Sequence, residues 1–137
     1  MHRLPGDSPD RESVLEPGEM IVAVRLPAEA ARFAANARYL KVRDRTSYAF
    51  ALVSVAAALD ISGGVIKQAR LAMGGVAHKP WRLHESEAFL KGKPASEDTF
   101  KQAAQIAMQG AKAYPYNQFK LRLAPNTILQ ALKTASA

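Results

Sequence analysis

The sequence predicts an α+β domain, an antiparallel sheet of three to four strands followed by three helices packed on one face. Three observations carry that prediction. β-Branched and alternating runs crowd the first half of the chain, two of them flank the turn residues Ser62-Gly63-Gly64, and after Pro80 the apolar spacing changes to that of helices. A length of 137 residues suits one hydrophobic core, since such cores serve roughly 100–150 residues. Hydrophobic residues at 48% and charged residues at 23% exclude a disordered tail, a collagen-like fibre or a coiled coil.

Residues 1–19 carry Pro5, Gly6, Pro9, Pro17 and Gly18 among alternating charges and read as an extended or turning arm. Met20 to Leu26 is a short β-branched run stopped by Pro27, which predicts a strand. Ala28 to Ala35 is alanine-rich and suits a short helix or a loop. Arg38 to Arg45 alternates as a half-exposed strand does, with Lys41, Arg43 and Arg45 on one face and Arg38 on the other. Ala49 to Leu59 is apolar on both faces and predicts a central strand, although Ala56-Ala57-Ala58 also favours a buried helix. The turn at Asp60 to Gly64, with alternation resuming through Val65, Lys67, Ala69, Leu71 and Met73, decides for a hairpin.

Gly74-Gly75 ends that strand, and Leu83 to Leu90 is a short helix candidate. Ser96 supplies an N-cap, and Glu97 and Asp98 an acidic first turn, for a helix through about Met108 that Gly110 ends. Its apolar face holds Phe100, Ala103, Ala104 and Ala107. Residues 118–135 carry Phe119, Leu123, Ile128, Leu129 and Leu132, with Pro125 expected to start a new helix or kink a longer one.

Chemistry is sparse. Without cysteine the chain has no disulfide, thiolate metal site or thiol nucleophile. His2, His78 and His84 form no HExxH pattern, His84-Glu85 with Glu87 reads as a solvated helix face, and no Gly-x-Ser-x-Gly elbow marks a nucleophile. No apolar run approaches the roughly 20 residues of a membrane span. Gly74-Gly75 suits a tight turn better than a phosphate cradle, since neither GxGxxG nor GxxxxGK[ST] is present. The net charge of +7 is uneven: residues 1–48 hold eight basic and seven acidic side chains, whereas 99–137 hold five basic and none acidic. Like charges at Lys41, Arg43 and Arg45 suit either a solvated strand edge or an anionic ligand.

The string Tyr39-Leu40-Lys41-Val42-Arg43-Asp44-Arg45-Thr46-Ser47-Tyr48-Ala49-Phe50-Ala51-Leu52-Val53-Ser54-Val55-Ala56 resembles the flavoprotein subunit of the xanthine dehydrogenase and aldehyde oxidoreductase family of molybdenum hydroxylases. His2 to Asp7, Leu15 to Glu19, and Gly74 to Arg82 are similar to that family in the same order. The likeness is to the family's C-terminal domain, shared with carbon monoxide dehydrogenase flavoproteins, and it implies the same α+β fold. Residues 1–19 would be the connector from an FAD-binding domain preceding Met1, and 20–137 the C-terminal-like domain.

The resemblance implies a domain that covers FAD and helps electrons pass from molybdenum through [2Fe–2S] clusters to FAD and an acceptor. An iron–sulfur subunit and a molybdopterin subunit would be partners, with no nucleic acid and no membrane. By resemblance, Lys41 matches a lysine beside the flavin ring and Ile21 an apolar residue at the cofactor, while Arg45 and Tyr48 lie on the loop facing it. A cation there favours anionic flavin, and an aliphatic side chain excludes water. No catalytic residue or metal ligand is expected, so the chain alone should be an inactive piece of an oxidoreductase. The complex would be cytoplasmic, or periplasmic through a partner's signal. NAD-using purine enzymes are acidic where this chain has Thr46-Ser47-Tyr48. Two other readings remain: a structural domain docking the other subunits without touching flavin, and a basic nucleic-acid-binding module, which salt-dependent binding would reveal.

Overall fold

In the computed structural model, which describes residues 1–137, four strands form one antiparallel sheet. They are β1 (Ala37–Val42), β2 (Val53–Ser62), β3 (Val65–Gly74) and β4 (Trp81–Arg82), in spatial order β1-β2-β3-β4. The helices α1 (His84–Leu90), α2 (Glu97–Ala107) and α3 (Lys120–Ser136) follow, as the sequence predicts. A 3-10 turn at Ala28–Phe33 precedes β1.

The β2–β3 hairpin turns on Gly63 and Gly64, at φ +58° and +73°. Positive φ at both central positions suits a two-residue hairpin turn that follows the twist of the strands, and glycine adopts it without a Cβ penalty. Val53, Val55, Ala57 and Leu59 of β2 are buried with Ala69, Leu71 and Met73 of β3. An irregularity between Asp60 and Ile61 shifts the register. Past it Ile66 is buried, so the predicted face Val65-Lys67-Ala69-Leu71-Met73 holds only from Ala69 onward.

All three helices lie on the same side of the sheet. Leu90, Phe100, Ala103, Ile128, Ala131 and Leu132 join the strands in one core. Thr99 N donates to Ser96 Oγ at 3.4 Å, so α2 has the predicted cap, and Ser86 Oγ donates to the Ala103 carbonyl at 2.9 Å, tying α1 to α2. Helix α3 is one segment running through Pro125. The proline withholds an N–H from the Leu121 carbonyl, and the helix persists because Ala124, Ile128, Ala131 and Leu132 are buried. At its end, Asn36 Nδ2 donates to the Ala135 carbonyl at 2.8 Å, while the Asn36 carbonyl accepts from Leu59 N at 2.9 Å.

Several expectations need correction. Met20 to Leu26 is not a strand: these residues make no backbone hydrogen bonds, and Val22 and Val24 are 86% and 82% exposed. A β-branched run becomes a strand only where a neighbour pairs its N–H and C=O groups, and none does here. Strand β1 ends at Val42, so Arg43 and Arg45 lie on the loop beyond it and do not share a strand face with Lys41. Strand β2 starts at Val53, leaving Ala49 to Leu52 in that loop. The second face of the strand is open at Ala56, which is exposed, and covered at Ser54, which is buried. Glu87 is not a solvated helix-face residue either, because its Oε1 accepts the Leu71 backbone N–H at 2.7 Å. In the arm, Arg3 N donates to the Glu12 carbonyl and Val14 N to the Met1 carbonyl, so residues 1–14 double back on themselves.

Candidate functional site

The side of the sheet opposite the helices carries the candidate site. Strand register places its residues in rows: Ala37, Ala58 and Arg70; Tyr39, Ala56, Ala72 and Arg82; and Lys41, Ser54 and Gly74. Alternation along each strand turns these positions away from the buried valines and leucines. Alanine and glycine leave the floor flat, and a shallow trough of about 460 Å³ runs over Ala37, Ala56, Ala58 and Ala72 with Tyr39, Arg70 and Arg82 at its margins.

The three cations of this face differ in their commitments. Arg82 Nη2 donates to Glu87 Oε2 at 2.9 Å, and this hydrogen bond from its side chain to Glu87 raises the Arg82 pKa further. Arg70 stands 5.4 Å from the centre of the Phe33 ring and donates to the Ala69 carbonyl at 3.0 Å. Lys41 is exposed and forms no ion pair or side-chain hydrogen bond. It is therefore the cation of this face free to meet an anionic ligand.

Beside Lys41 the backbone is tightly packed. A Cβ at Gly74 would lie 2.5 Å from Ser54 Oγ, and one at Gly75 would lie 2.9 Å from the Leu52 carbonyl. Gly75, at φ +75°, also accepts Lys120 Nζ on its carbonyl at 2.6 Å. Gly75 thus serves close backbone approach at the end of β3, while Gly74 makes room for the Ser54 side chain.

The loop from Arg43 to Leu52 rises from the same end of the sheet and is closed by Leu52 N donating to the Val42 carbonyl at 2.8 Å. At its tip Arg45 Nε donates to the Tyr48 carbonyl at 3.0 Å, and the guanidinium carbon lies 5.9 Å from the centre of the Tyr48 ring. Tyr48 has φ +47°, a left-handed conformation costly for a tyrosine, and this contact helps to hold it. The structure therefore brings Arg45 and Tyr48 together at the end of the sheet where Lys41 lies. No hydrogen bond ties Ile21 to the sheet.

Sequence reasoning missed Ser54, Arg70 and Arg82 as neighbours of Lys41 and Tyr39. Alternation within each strand was the available signal, but the rows appear only once register is known. A flat apolar trough with an unpaired ammonium one strand row beyond it can receive a planar ring and stabilise negative charge on it.

The chain matches the CO dehydrogenase flavoprotein C-terminal domain over residues 38–135. It is 45% identical over 134 residues to the aldehyde oxidoreductase FAD-binding subunit PaoB of Escherichia coli, a match covering 97% of this chain and 38% of that subunit. Among solved structures, quinoline 2-oxidoreductase from Pseudomonas putida 86 superimposes with a TM-score of 0.68 at 27% identity, over 75% of this chain and 37% of that one. Carbon monoxide dehydrogenase from Hydrogenophaga pseudoflava does so with a TM-score of 0.67 at 26% identity, over 74% and 37%. The chain thus spans 38% of the length of PaoB. With the sheet, its three helices and the ordered motifs in agreement, the chain belongs to the CO dehydrogenase flavoprotein C-terminal domain family.

Proposed function

We propose that this domain is the C-terminal part of the FAD-binding subunit of a molybdenum-hydroxylase-type oxidoreductase, where it covers the flavin and assists electron transfer. The observation that carries this reading is Lys41, unpaired at the end of a small-residue sheet face beside the Arg45–Tyr48 loop tip. PaoB, 45% identical, is by name the FAD-binding subunit of an aldehyde oxidoreductase. On this reading the subunit works with an iron–sulfur subunit carrying [2Fe–2S] clusters and a molybdopterin subunit.

The residues present fit a flavin. Ala56, Ala72 and Gly74 leave a face that a planar ring can approach, Lys41 supplies positive charge, and Tyr48 supplies an exposed aromatic surface. FAD supplies the redox chemistry, exchanging electrons between the clusters and the acceptor. The chain's part is electrostatic and steric: Lys41 favours the more negative form of the ring, the alanine face and Ile21 exclude water, and Arg45 holds Tyr48 at the entrance. Electron transfer thereby gains a tuned potential without a protein acid, base or nucleophile.

Replacing Lys41→Ala in the full-length subunit should lower its flavin reduction potential by on the order of 30 mV, the two-electron equivalent of about 1.4 kcal/mol. Flavin content should fall or hold. Wild-type potential and wild-type content together would remove Lys41 from the site.

A further inference from the structure

At the end of the domain near Gly75, a groove of about 270 Å³ opens between the Gly75–Trp81 segment and the facing ends of α2 and α3. Its lining is mostly apolar, and its only charged members are Lys112 and Lys120. No Asp or Glu occurs anywhere in residues 99–137. Beside it Tyr114 and Tyr116 are 76% and 96% exposed, and Trp81 in its wall is 47% exposed.

The tyrosines stand on an ordered turn. Tyr114 N donates to Asn117 Oδ1 at 2.6 Å, and Asn117 N returns a bond to the Tyr114 carbonyl at 3.1 Å. Aromatic side chains on a fixed backbone lose little entropy on contact, and Trp and Tyr dominate the energetic centres of protein interfaces.

We propose that this groove docks a partner protein that inserts an apolar side chain flanked by Asp or Glu. Charge complementarity selects that chemistry: Lys112 forms no ion pair, Lys120 adds its charge from its place on the Gly75 carbonyl, and the groove has no acid of its own. A second copy fits poorly, since a two-fold contact would set the same lysines against each other. The inference rests on the assembly reading above for the identity of the subunits to test, and not on flavin contact.

The test uses the full-length chain co-expressed with the iron–sulfur and molybdopterin subunits, with photoreactive p-benzoylphenylalanine replacing Tyr116. Irradiation should cross-link it to one of them, at a segment where Leu, Phe or Met neighbours Asp or Glu. Lys112→Glu should weaken co-purification about tenfold, most strongly at low salt, while thermal stability and flavin content stay as in wild type. Assembly without a cross-link from position 116, cross-linking to another copy of the chain, or a Lys112→Glu variant that assembles normally would each overturn the proposal. A chain that binds neither subunit overturns it too, and flavin content then judges the flavin reading separately.

Discussion

At Gly75 the left-handed backbone and the Leu52 carbonyl both exclude a side chain, whereas at Gly74 the neighbour is the rotatable hydroxyl of Ser54. Gly75→Ala should therefore cost about 1–3 kcal/mol of stability and Gly74→Ala distinctly less, measured by urea unfolding. Equal losses would show that backbone approach is not what Gly75 provides. A second residue-scale expectation concerns Glu97, whose pKa is lowered to about 2 by hydrogen bonds from Lys133 and Lys101. Because the folded value lies below the ordinary 4.5, this contribution is fully present above about pH 4.5 and is lost as pH falls through about 2. All three side chains are exposed, so salt weakens the effect. Glu97→Gln should flatten the fall of Tm across that window, and an acid limb superimposable on wild type would dismiss the triad.

Among the elements, α1 is only seven residues long, and its stability comes from contacts outside itself. The Glu87 carboxylate takes the Leu71 N–H on the β3 edge beyond the two-residue β4, in place of a longer edge strand. Glu87→Ala leaves that donor and Arg82 unpartnered, and should cost about 1–3 kcal/mol in chemical denaturation. A loss within experimental error would mean that water replaces the carboxylate. Helix α2 was legible in the sequence because its stop and start signals, Ser96, Glu97, Asp98 and Gly110, act locally. Met20 to Leu26 was misread because alternation reports what a segment can do, whereas strand formation needs a neighbour that the segment itself does not encode. The face through Val65 and Lys67 fails for a related reason, since the irregularity at Asp60 and Ile61 exists only between two paired strands.

Across the whole molecule, the +7 charge does not gather into one binding surface. Lys101 and Lys133 go to Glu97, Arg82 to Glu87 and Lys120 to the Gly75 carbonyl, while Lys41 stays free on the open sheet face. Resemblance of its surrounding string singles out Lys41, but its row with Ser54 and Gly74 was not legible, because register joins residues from three strands. No phosphate-binding glycine motif occurs in the 137 residues, so the purified chain mixed with FAD should emerge from gel filtration without flavin absorbance. Retained absorbance would show that the sheet face alone suffices. The bond from Asn36 to the Ala135 carbonyl bears on a different property. It joins positions 99 residues apart, so closing it late, after the β2–β3 hairpin and helices have formed, is the cheapest order of events. Asn36→Ala should then leave the refolding limb of a chevron nearly unmoved and raise the unfolding limb, making this contact a brake on the domain's opening rate.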